Sequence, residues 1–308
     1  MEHVLVTGAS GFVCSHLVDV LLEAGFGVIA LDRRFDHAHL VRWMDQPVAL
    51  VESDVSALPD LDVDYVIHGA AITAGPDERG ESPEANLRAN LEPALAISEW
   101  AARQPVRRCI FISSSAVART SSAPLVAEDD TFDAVGLYAV AKQTVEGLAR
   151  TLRADYGRDT LAVRLGYLYG PAERSRVTRP RVSLVARLIE EAVTQRRMTV
   201  AAASPPTDWT YVRDVGRAIV ALLRAPRLNH ALYHLSSGQS LSQLDIARAL
   251  QAMLPDIDIH TTAEVPAFRG LLVGERLCAD TGFHDWTDFA DGLAETVTWF
   301  RQQLEHMK

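Results

Sequence analysis

The chain has 308 residues, of which 48% are hydrophobic and 23% charged, a composition that excludes intrinsically disordered and fibrous proteins. Its formal net charge of −10 makes nucleic acids and anionic membranes unfavourable partners, because both are themselves negatively charged. No run reaches the roughly 20 apolar residues of a membrane-spanning helix, and the N-terminus lacks the pattern of a signal peptide.

In the first half of the chain, short apolar runs alternate with helical patterns. Predicted strands cover residues 4–7, 28–31, 63–68, 108–113 and 163–168, and predicted helices between them cover residues 13–24, 85–103 and 138–155. Short, continuously apolar strands separated by helices are typical of a parallel sheet that is covered on both faces. The predicted fold class is therefore α/β, with a Rossmann-like doubly wound parallel sheet and a smaller C-terminal substrate lobe.

The alternation weakens after residue 168. The elements predicted there are helices at 184–195, 215–224, 241–253 and 292–304 and strands at 209–212 and 232–236. We expect residues 1–170 to form the Rossmann domain, with residues 207–237 returning to it. Residues 171–206 and 238–308 are expected to form the smaller, substrate-binding lobe.

The first predicted strand leads directly into a glycine-containing turn and then a helix. Residues 7–14 read TGASGFVC, and glycines at such a turn let a pyrophosphate reach the backbone N–H groups at the helix start. A tight strand–helix turn without a ligand is the alternative. Asp32, which ends the second predicted strand, favours a bound dinucleotide, because a carboxylate at this separation can accept from both hydroxyls of a ribose.

Asp32 also bears on which dinucleotide binds. Its charge would repel the 2′-phosphate of NADP, so the predicted cofactor is NAD. Arg33 and Arg34 follow it directly and could bind such a phosphate, which keeps NADP as the less favoured alternative.

A tyrosine and a lysine are predicted on one face of a helix, one turn apart. Tyr138 and Lys142 are spaced i, i+4, and the only other lysine of the chain is Lys308. The pKa of a free tyrosine is about 10, and a nearby ammonium lowers it so that the phenolate can take a proton from an alcohol. A surface pair is the alternative, but arginine, which this chain uses almost everywhere else, would serve there equally well. The hydroxyls of Ser113–Ser115 end the preceding strand and would face the same crevice.

The three cysteines give no sign of a disulfide or metal site. Cys14, Cys109 and Cys278 are far apart, odd in number and without metal-ligand spacing. Such cysteines suit a reducing compartment, so we expect a cytoplasmic protein without a metal centre.

Together these motifs resemble the extended short-chain dehydrogenases/reductases of the NAD-dependent epimerase/dehydratase family. The matching segments are TGASGF at 7–12, SDV at 53–55, HGAA at 68–71, SSSAV at 113–117, YAVAK at 138–142, RLGYLYGP at 164–171, DWTYVRDVGRAI at 208–219, YHLSSGQSLS at 233–242 and GLAETVTWFRQQ at 292–303. The resemblance implies an NAD-dependent enzyme with a small-molecule substrate. It also implies a homodimer formed through the helices at 85–103 and 138–155.

The resemblance further implies roles for individual residues. Tyr138 would be the acid/base, Lys142 would tune it, and Ser114, with Ser115 as the fallback, would hold the substrate oxygen. The cofactor would lie against Gly8, Ser10, Gly11, Phe12, Val13, Asp32, Arg33, Asp54, Val55, Ala70, Ala71, Asn90, Tyr138, Lys142 and Leu168. The substrate would lie against Thr73, Ser115, Tyr167 and Thr207.

The chain departs from the family pattern at several positions, among them Ala118-Arg119, which replaces Tyr-Gly after the serines, and a missing Asp-Glu pair that is typical of sugar 4,6-dehydratases. Cys14 replaces the third glycine of the fingerprint and puts a side chain where the first helix approaches the sheet. Tyr167 stands where many nucleotide-sugar enzymes of the family have asparagine, and Thr207 where they have a phosphate-binding arginine. The loss of both contacts makes a nucleotide-diphosphate sugar a less favoured substrate.

The leading prediction is an NAD-dependent oxidoreductase that moves a hydride at a secondary alcohol of a sugar, sugar acid or similar polyol. The first alternative is a sugar or nucleotide-sugar epimerase with tightly held NAD. The second is a non-catalytic dinucleotide-binding redox sensor, which Cys14 favours slightly and the Ser–Tyr–Lys set disfavours. Four basic residues, Arg174, Arg176, Arg179 and Arg181, form either a solvated loop or a site for an anionic substrate group.

Overall fold

A computed structural model describes residues 1–118, 123–266 and 270–306 of the chain. Its strands are β1 (His3–Thr7), β2 (Gly27–Asp32), β3 (Val48–Glu52), β4 (Tyr65–His68), β5 (Arg108–Ser114), β6 (Leu125–Val126), β7 (Thr160–Leu165), β8 (Tyr167–Tyr169), β9 (Arg197–Ala201), β10 (Thr207–Tyr211), β11 (Leu232–Leu235), β12 (Ser240–Leu241), β13 (Asp258–Thr262) and β14 (Leu271–Leu272). Its helices are α1 (Phe12–Glu23), α2 (His37–Trp43), α3 (Pro76–Arg79), α4 (Pro83–Arg103), α5 (Leu137–Tyr156), α6 (Leu184–Gln195), α7 (Val212–Arg224), α8 (Gln243–Met253), α9 (Glu275–Thr281) and α10 (Phe289–His306). Arg119 and Lys308, singled out in the sequence, lie outside these ranges.

The main sheet is parallel and doubly wound, which confirms the predicted fold class. Its strand order is β11-β7-β5-β4-β1-β2-β3, with every pairing parallel. The order reverses between β1 and β4, and ligands of such sheets bind in the crevice at that reversal, beyond the carboxyl ends of the strands. Apolar side chains pack on both faces of the sheet in two clusters, one with α1 and α7 and the other with α4 and α5.

A third apolar cluster lies in the C-terminal part of the chain. It joins α6, α8 and α10 to the small sheets, and its members include Trp209, Tyr211 and Leu250. β10 pairs with β8 and β12 there, whereas α7 and β11, which follow it, pack on α1 and join the main sheet. None of the described helices is long and apolar enough to span a membrane.

The strand predicted at 163–168 is divided in the structure. β7 ends at Leu165 and stays in the main sheet, while β8 begins at Tyr167 and pairs with β10. Gly166 between them allows a close approach, because a Cβ built there would lie 1.9 Å from Asp208 Oδ2. Only a residue without a side chain lets the Asp208 carboxylate come so near the chain.

Candidate functional site: a cleft at the carboxyl end of the sheet

Two neighbouring cavities open at the carboxyl edge of the main sheet, around the glycine turn. The larger cavity has a volume of about 530 Å³, and the sequence-predicted residues that line it are Gly8, Gly11, Phe12, Val13, Ala71, Thr73, Ser114, Tyr138, Lys142, Tyr167, Leu168 and Thr207. The smaller cavity has a volume of about 280 Å³, and the predicted residues that line it are Gly8, Ser10, Gly11, Asp32, Arg33, Asp54, Val55, Ala70 and Ala71. Both cavities share the glycines, so one elongated ligand could occupy the two.

The glycine turn packs closely against the segment that follows β4, and its two glycines line both cavities. Gly8 has φ +72°, and a Cβ there would lie 2.7 Å from the backbone N and Cα of Ala70. Gly11 begins α1, and no side chain among the described residues caps that helix start. Uncapped N–H groups at a helix start attract negative charge, so this turn fits a pyrophosphate.

Acidic side chains line the smaller cavity. Asp32 is fixed at the end of β2, because its carboxylate accepts from the backbone N–H of Ser10 at 2.9 Å and of Arg33 at 2.7 Å. Asp54 accepts from the N–H and the hydroxyl of Ser56, and these bonds hold the pKa of its carboxyl below the usual value. Fixed carboxylates of this kind suit the hydroxyl and amino groups of an adenosine.

The predicted tyrosine and lysine meet in the larger cavity. Both lie on α5, and Lys142 Nζ is 5.6 Å from the centroid of the Tyr138 ring. Lys142 is buried, and its ammonium donates to the backbone oxygen of Ile112 at 2.7 Å. Burial lowers the pKa of Lys142 to about 8, so the group is still charged at neutral pH and can stabilise a nearby phenolate.

A buried ion pair supports the same helix one turn further on. Glu146 accepts two hydrogen bonds from the Arg164 guanidinium of β7, at 2.8 and 2.7 Å, and a third from Ser113 Oγ at 2.5 Å. Arg164 also lies 3.3 Å from His234 Nε2 of β11. The prediction missed this group, although the spacing of Glu146 four residues after Lys142 places both on one helix face.

The three serines at the end of β5 are in different surroundings. Ser113 is committed to Glu146, and Ser115 is buried in a short 3-10 helix and lines neither cavity. Ser113 and Ser114 both line the larger cavity, and the Ser114 hydroxyl oxygen accepts only a backbone N–H, that of Ala116 at 3.2 Å, among the described contacts. Of the three, Ser114 is therefore the hydroxyl best placed to meet a substrate.

Asn90 likewise lines neither cavity. Its side-chain amide exchanges hydrogen bonds with the backbone of Ile72, accepting at 2.8 Å and donating at 3.1 Å. Asn90 is buried, so it fixes the segment that follows β4 and carries Ala70, Ala71 and Thr73 into the cleft.

Cys14 fills a space that a neighbouring glycine leaves. Its thiol faces Gly69, where a Cβ would lie 2.2 Å from the sulfur. Burial raises the pKa of the thiol to about 12, so almost no thiolate forms at neutral pH. Redox chemistry of cysteine needs the thiolate, and this environment disfavours the redox-sensor alternative.

The arginine-rich segment crosses the cleft, and we call residues 171–183 the strap. The backbone oxygen of Thr178 accepts from the N–H groups of Thr73 at 2.9 Å and Ala74 at 3.1 Å, across the cleft from β8. Arg176 and Arg179 pair with each other through two backbone hydrogen bonds of 2.9 Å, which makes the strap a tight hairpin. All four arginines named in the sequence, Arg174, Arg176, Arg179 and Arg181, line the larger cavity.

Aromatic and polar groups from β8 and β10 also line the larger cavity. The rings of Tyr167 and Trp209 lie 5.3 Å apart, and Thr207 lies beside them on β10. Trp209 is 3% exposed, and its indole N–H has no hydrogen-bond partner among the described residues. Sequence reasoning missed Trp209 as a site residue, because its position depends on the small β8–β10 sheet.

The chain matches a family model and is similar to several known proteins. The family model described as "NAD dependent epimerase/dehydratase family" matches residues 4–235. The chain is 26% identical to the UDP-glucose 4-epimerase of Mycolicibacterium smegmatis, over 98% of the chain and 99% of that protein. It is 27% identical to a dTDP-4-dehydro-6-deoxy-D-allose reductase of Streptomyces bikiniensis, over 97% of the chain and 96% of that protein.

A solved structure agrees over the same length. MoeE5, determined in complex with UDP-glucose and NAD, is 25% identical and superposes with a TM-score of 0.81, over 98% of this chain and all of that chain. The family match covers both the glycine turn and the Tyr138–Lys142 pair. The chain therefore belongs to the NAD-dependent epimerase/dehydratase family and is an NAD-dependent enzyme.

Proposed function

We propose that this enzyme transfers a hydride between NAD and a secondary alcohol carbon of a sugar that carries an anionic group. The observation that carries the proposal is that one cavity is lined both by Ser114, Tyr138 and Lys142 and by the arginines of the strap. When bound, the cofactor would accept the hydride as NAD or donate it as NADH. The residues of the glycine turn with Asp32 and Asp54 would hold it, because their shape and charge fit a pyrophosphate between two riboses.

Proton transfer falls to the residues of α5. Tyr138 takes the proton of the alcohol oxygen as the carbon loses its hydride and the C–O bond becomes a carbonyl. Lys142 keeps the phenolate accessible, because its ammonium lies beside the tyrosine ring. Ser114 donates to the substrate oxygen and orients it.

The anionic group of the substrate would lie at the strap end of the cavity. Arg179 stacks on Phe12, with 5.2 Å between the guanidinium carbon and the ring centroid, and its Nη1 is buried without a partner among the described residues. A buried guanidinium N–H needs an acceptor, and a phosphate or carboxylate oxygen supplies one. The indole N–H of Trp209 offers a second donor in the same cavity.

Nucleotide sugars belong among the candidate substrates, although Tyr167 and Thr207 alone argue against them. The relatives compared above are named for UDP- and dTDP-linked sugars. The four strap arginines that line the cavity supply positive charge that Thr207 does not, so a diphosphate would still meet cations there.

Epimerisation is the second candidate, and the strap favours it. An epimerase returns the hydride to the opposite face of the same sugar, so the reduced cofactor has to stay bound between the two half-reactions. The hydrogen bonds of Thr178 to Thr73 and Ala74 close the cleft over the cofactor site and favour retention.

One experiment separates these functions. The purified protein is incubated with NAD and a panel of nucleotide sugars, sugar acids and free sugars, while absorbance of the reduced cofactor and the sugar products are followed. Reduced cofactor with a keto sugar supports the oxidoreductase, and an epimer without net reduction supports the epimerase. Absence of both products with every substrate class would overturn the proposal.

We infer that residues 1–170 with 207–237 bind NAD and that residues 171–206 and 238–308 form the substrate lobe. The separate apolar cluster of the C-terminal part supports this division.

We also propose a homodimer through α4 and α5, on which Leu95 and Tyr156 are exposed. Cys14, Cys109 and Cys278 are all unpaired, which supports a reducing compartment such as the cytoplasm. Light scattering of the purified chain tests the dimer.

A further inference from the structure

One arginine of the strap lies over the cofactor turn and away from the substrate end. Arg176 Nη1 is 3.3 Å from the hydroxyl oxygen of Ser10, inside the glycine turn. Arg176 lines the larger and the smaller cavity alike, so its guanidinium stands where the two cavities join. The joint is also bordered by Gly8 and Gly11 of the glycine turn, which precedes the uncapped start of α1.

The groups around that joint would not balance the negative charge of a bound pyrophosphate without a further cation. A cofactor pyrophosphate carries two negative charges, while residues 7–13 contain no basic side chain. The smaller cavity adds Asp32, Asp54 and Glu92, balanced there by Arg33. Helix-start N–H groups offset only part of a phosphate charge, roughly half an elementary charge for one helix.

Arg176 has the reach and the freedom to supply that cation. Its only ion pair among the described residues is a long one, 3.7 Å to Asp36, with both side chains partly exposed. Such a pair contributes little, so the guanidinium can turn to a better acceptor at low cost. The other strap arginines have different contacts: Arg179 pairs with Glu173, and Arg181 with Glu78.

We propose that Arg176 binds the pyrophosphate of NAD, so that the strap forms part of the cofactor site and retains the cofactor. Two features combine in this role: the guanidinium above the glycine turn, and the Thr178 hydrogen bonds that fasten the strap across the cleft. Because the strap also carries Arg179, the substrate anion and the cofactor pyrophosphate would be held by one hairpin. The inference rests on the proposed function only for its use of NAD.

The test measures binding to the full chain, without any reaction. NAD, ADP and adenosine are titrated calorimetrically into wild type, Arg176→Gln and Arg176→Lys. Arg174→Gln is the matched control, because Arg174 is on the same strap but hydrogen-bonds Gln303 and stacks on Trp299. Stopped-flow displacement of bound NAD gives the dissociation rate.

Arg176→Gln should weaken the binding of NAD and of ADP about tenfold, or about 1.4 kcal/mol, and leave the affinity for adenosine unchanged. The loss should lie mainly in a faster NAD dissociation rate, and Arg176→Lys should recover part of the affinity, since it keeps the charge. Unchanged NAD and ADP affinity in Arg176→Gln would overturn the inference, as would an equal loss for adenosine, which has no phosphate. Failure of every sugar to react would leave these outcomes unaffected, so the two proposals fail separately.

Discussion

The contact between Cys14 and Gly69 should appear as coupling between two substitutions. A Cβ added at Gly69 would lie 2.2 Å from the Cys14 sulfur, whereas carbon atoms in contact are about 3.5–4.0 Å apart. Cys14 is 3% exposed and packed in the core, so the sulfur has little room to move. Gly69→Ala should therefore lower the free energy of unfolding by about 2 kcal/mol through overpacking.

Removal of the sulfur should relieve most of that cost. Cys14→Ala alone deletes one buried atom and should cost about 1 kcal/mol. In the double variant the nearest remaining contacts given for the added methyl are milder, with Ile112 Cδ1 at 3.1 Å and the backbone oxygen of Thr7 at 3.3 Å. The loss of unfolding free energy in the double variant should thus be about 1–2 kcal/mol smaller than the sum of the losses in the two single variants.

Urea unfolding of the four proteins without ligand measures this coupling. Cys109→Ala combined with Gly69→Ala is the control, because Cys109 is equally buried but belongs to the cluster on the other face of the sheet. If the losses of unfolding free energy from Cys14→Ala and Gly69→Ala are additive, as expected for Cys109→Ala and Gly69→Ala, the proposed contact between Cys14 and Gly69 is refuted.

Three further changes test the site. Tyr138→Phe should lower turnover by about 100-fold or more while NAD affinity is unchanged, because only the proton-transferring oxygen is lost; near-native turnover in a steady-state assay would contradict the acid/base role. Asp32→Asn should lower the affinity for NAD in calorimetric titration and reduce the ratio of the affinity for NAD to that for NADP. An unchanged ratio would mean that Arg33 determines the choice of cofactor. Burial lowers the folded-state pKa of Lys142 from 10.5 to about 8, so between those pH values the unfolded chain holds a proton that the folded chain has released. The wild type should therefore gain unfolding free energy relative to Lys142→Met as pH rises through that window, and a pH-independent difference in urea unfolding would argue against the buried ammonium.

Local patterns were enough to predict the parts of the site that the chain forms by itself. The glycine turn, the end of β2 and the Tyr138–Lys142 spacing depend on residues a few positions apart, and each lies at the cleft. The break at Gly166 was not predictable in this way, since its cause is Asp208, which arrives from β10. The place of the strap over the cofactor turn has the same origin, because Thr178 and Thr73 are more than a hundred residues apart.

Long-range pairing also explains why the ligand-binding part of the serine strand was hard to assign. Local pattern does not distinguish Ser113, Ser114 and Ser115, and the sequence pointed to Ser114 only through the family resemblance. Ser113 and Ser114 both line the larger cavity, but the Ser113 hydroxyl donates to Glu146, and Ser115 is buried in the short 3-10 helix.

The ion pair between Glu146 and Arg164 restricts how this active-site helix can change over evolution or in redesign. Both side chains are nearly inaccessible, so replacing either one alone leaves a lone charge in the protein interior, at a cost of about 3–5 kcal/mol. Replacing both together with apolar residues of similar volume would avoid that cost, apart from the partner that Ser113 would lose. The two positions are therefore expected to be exchanged as a unit, and single-site libraries would find no route to such a variant.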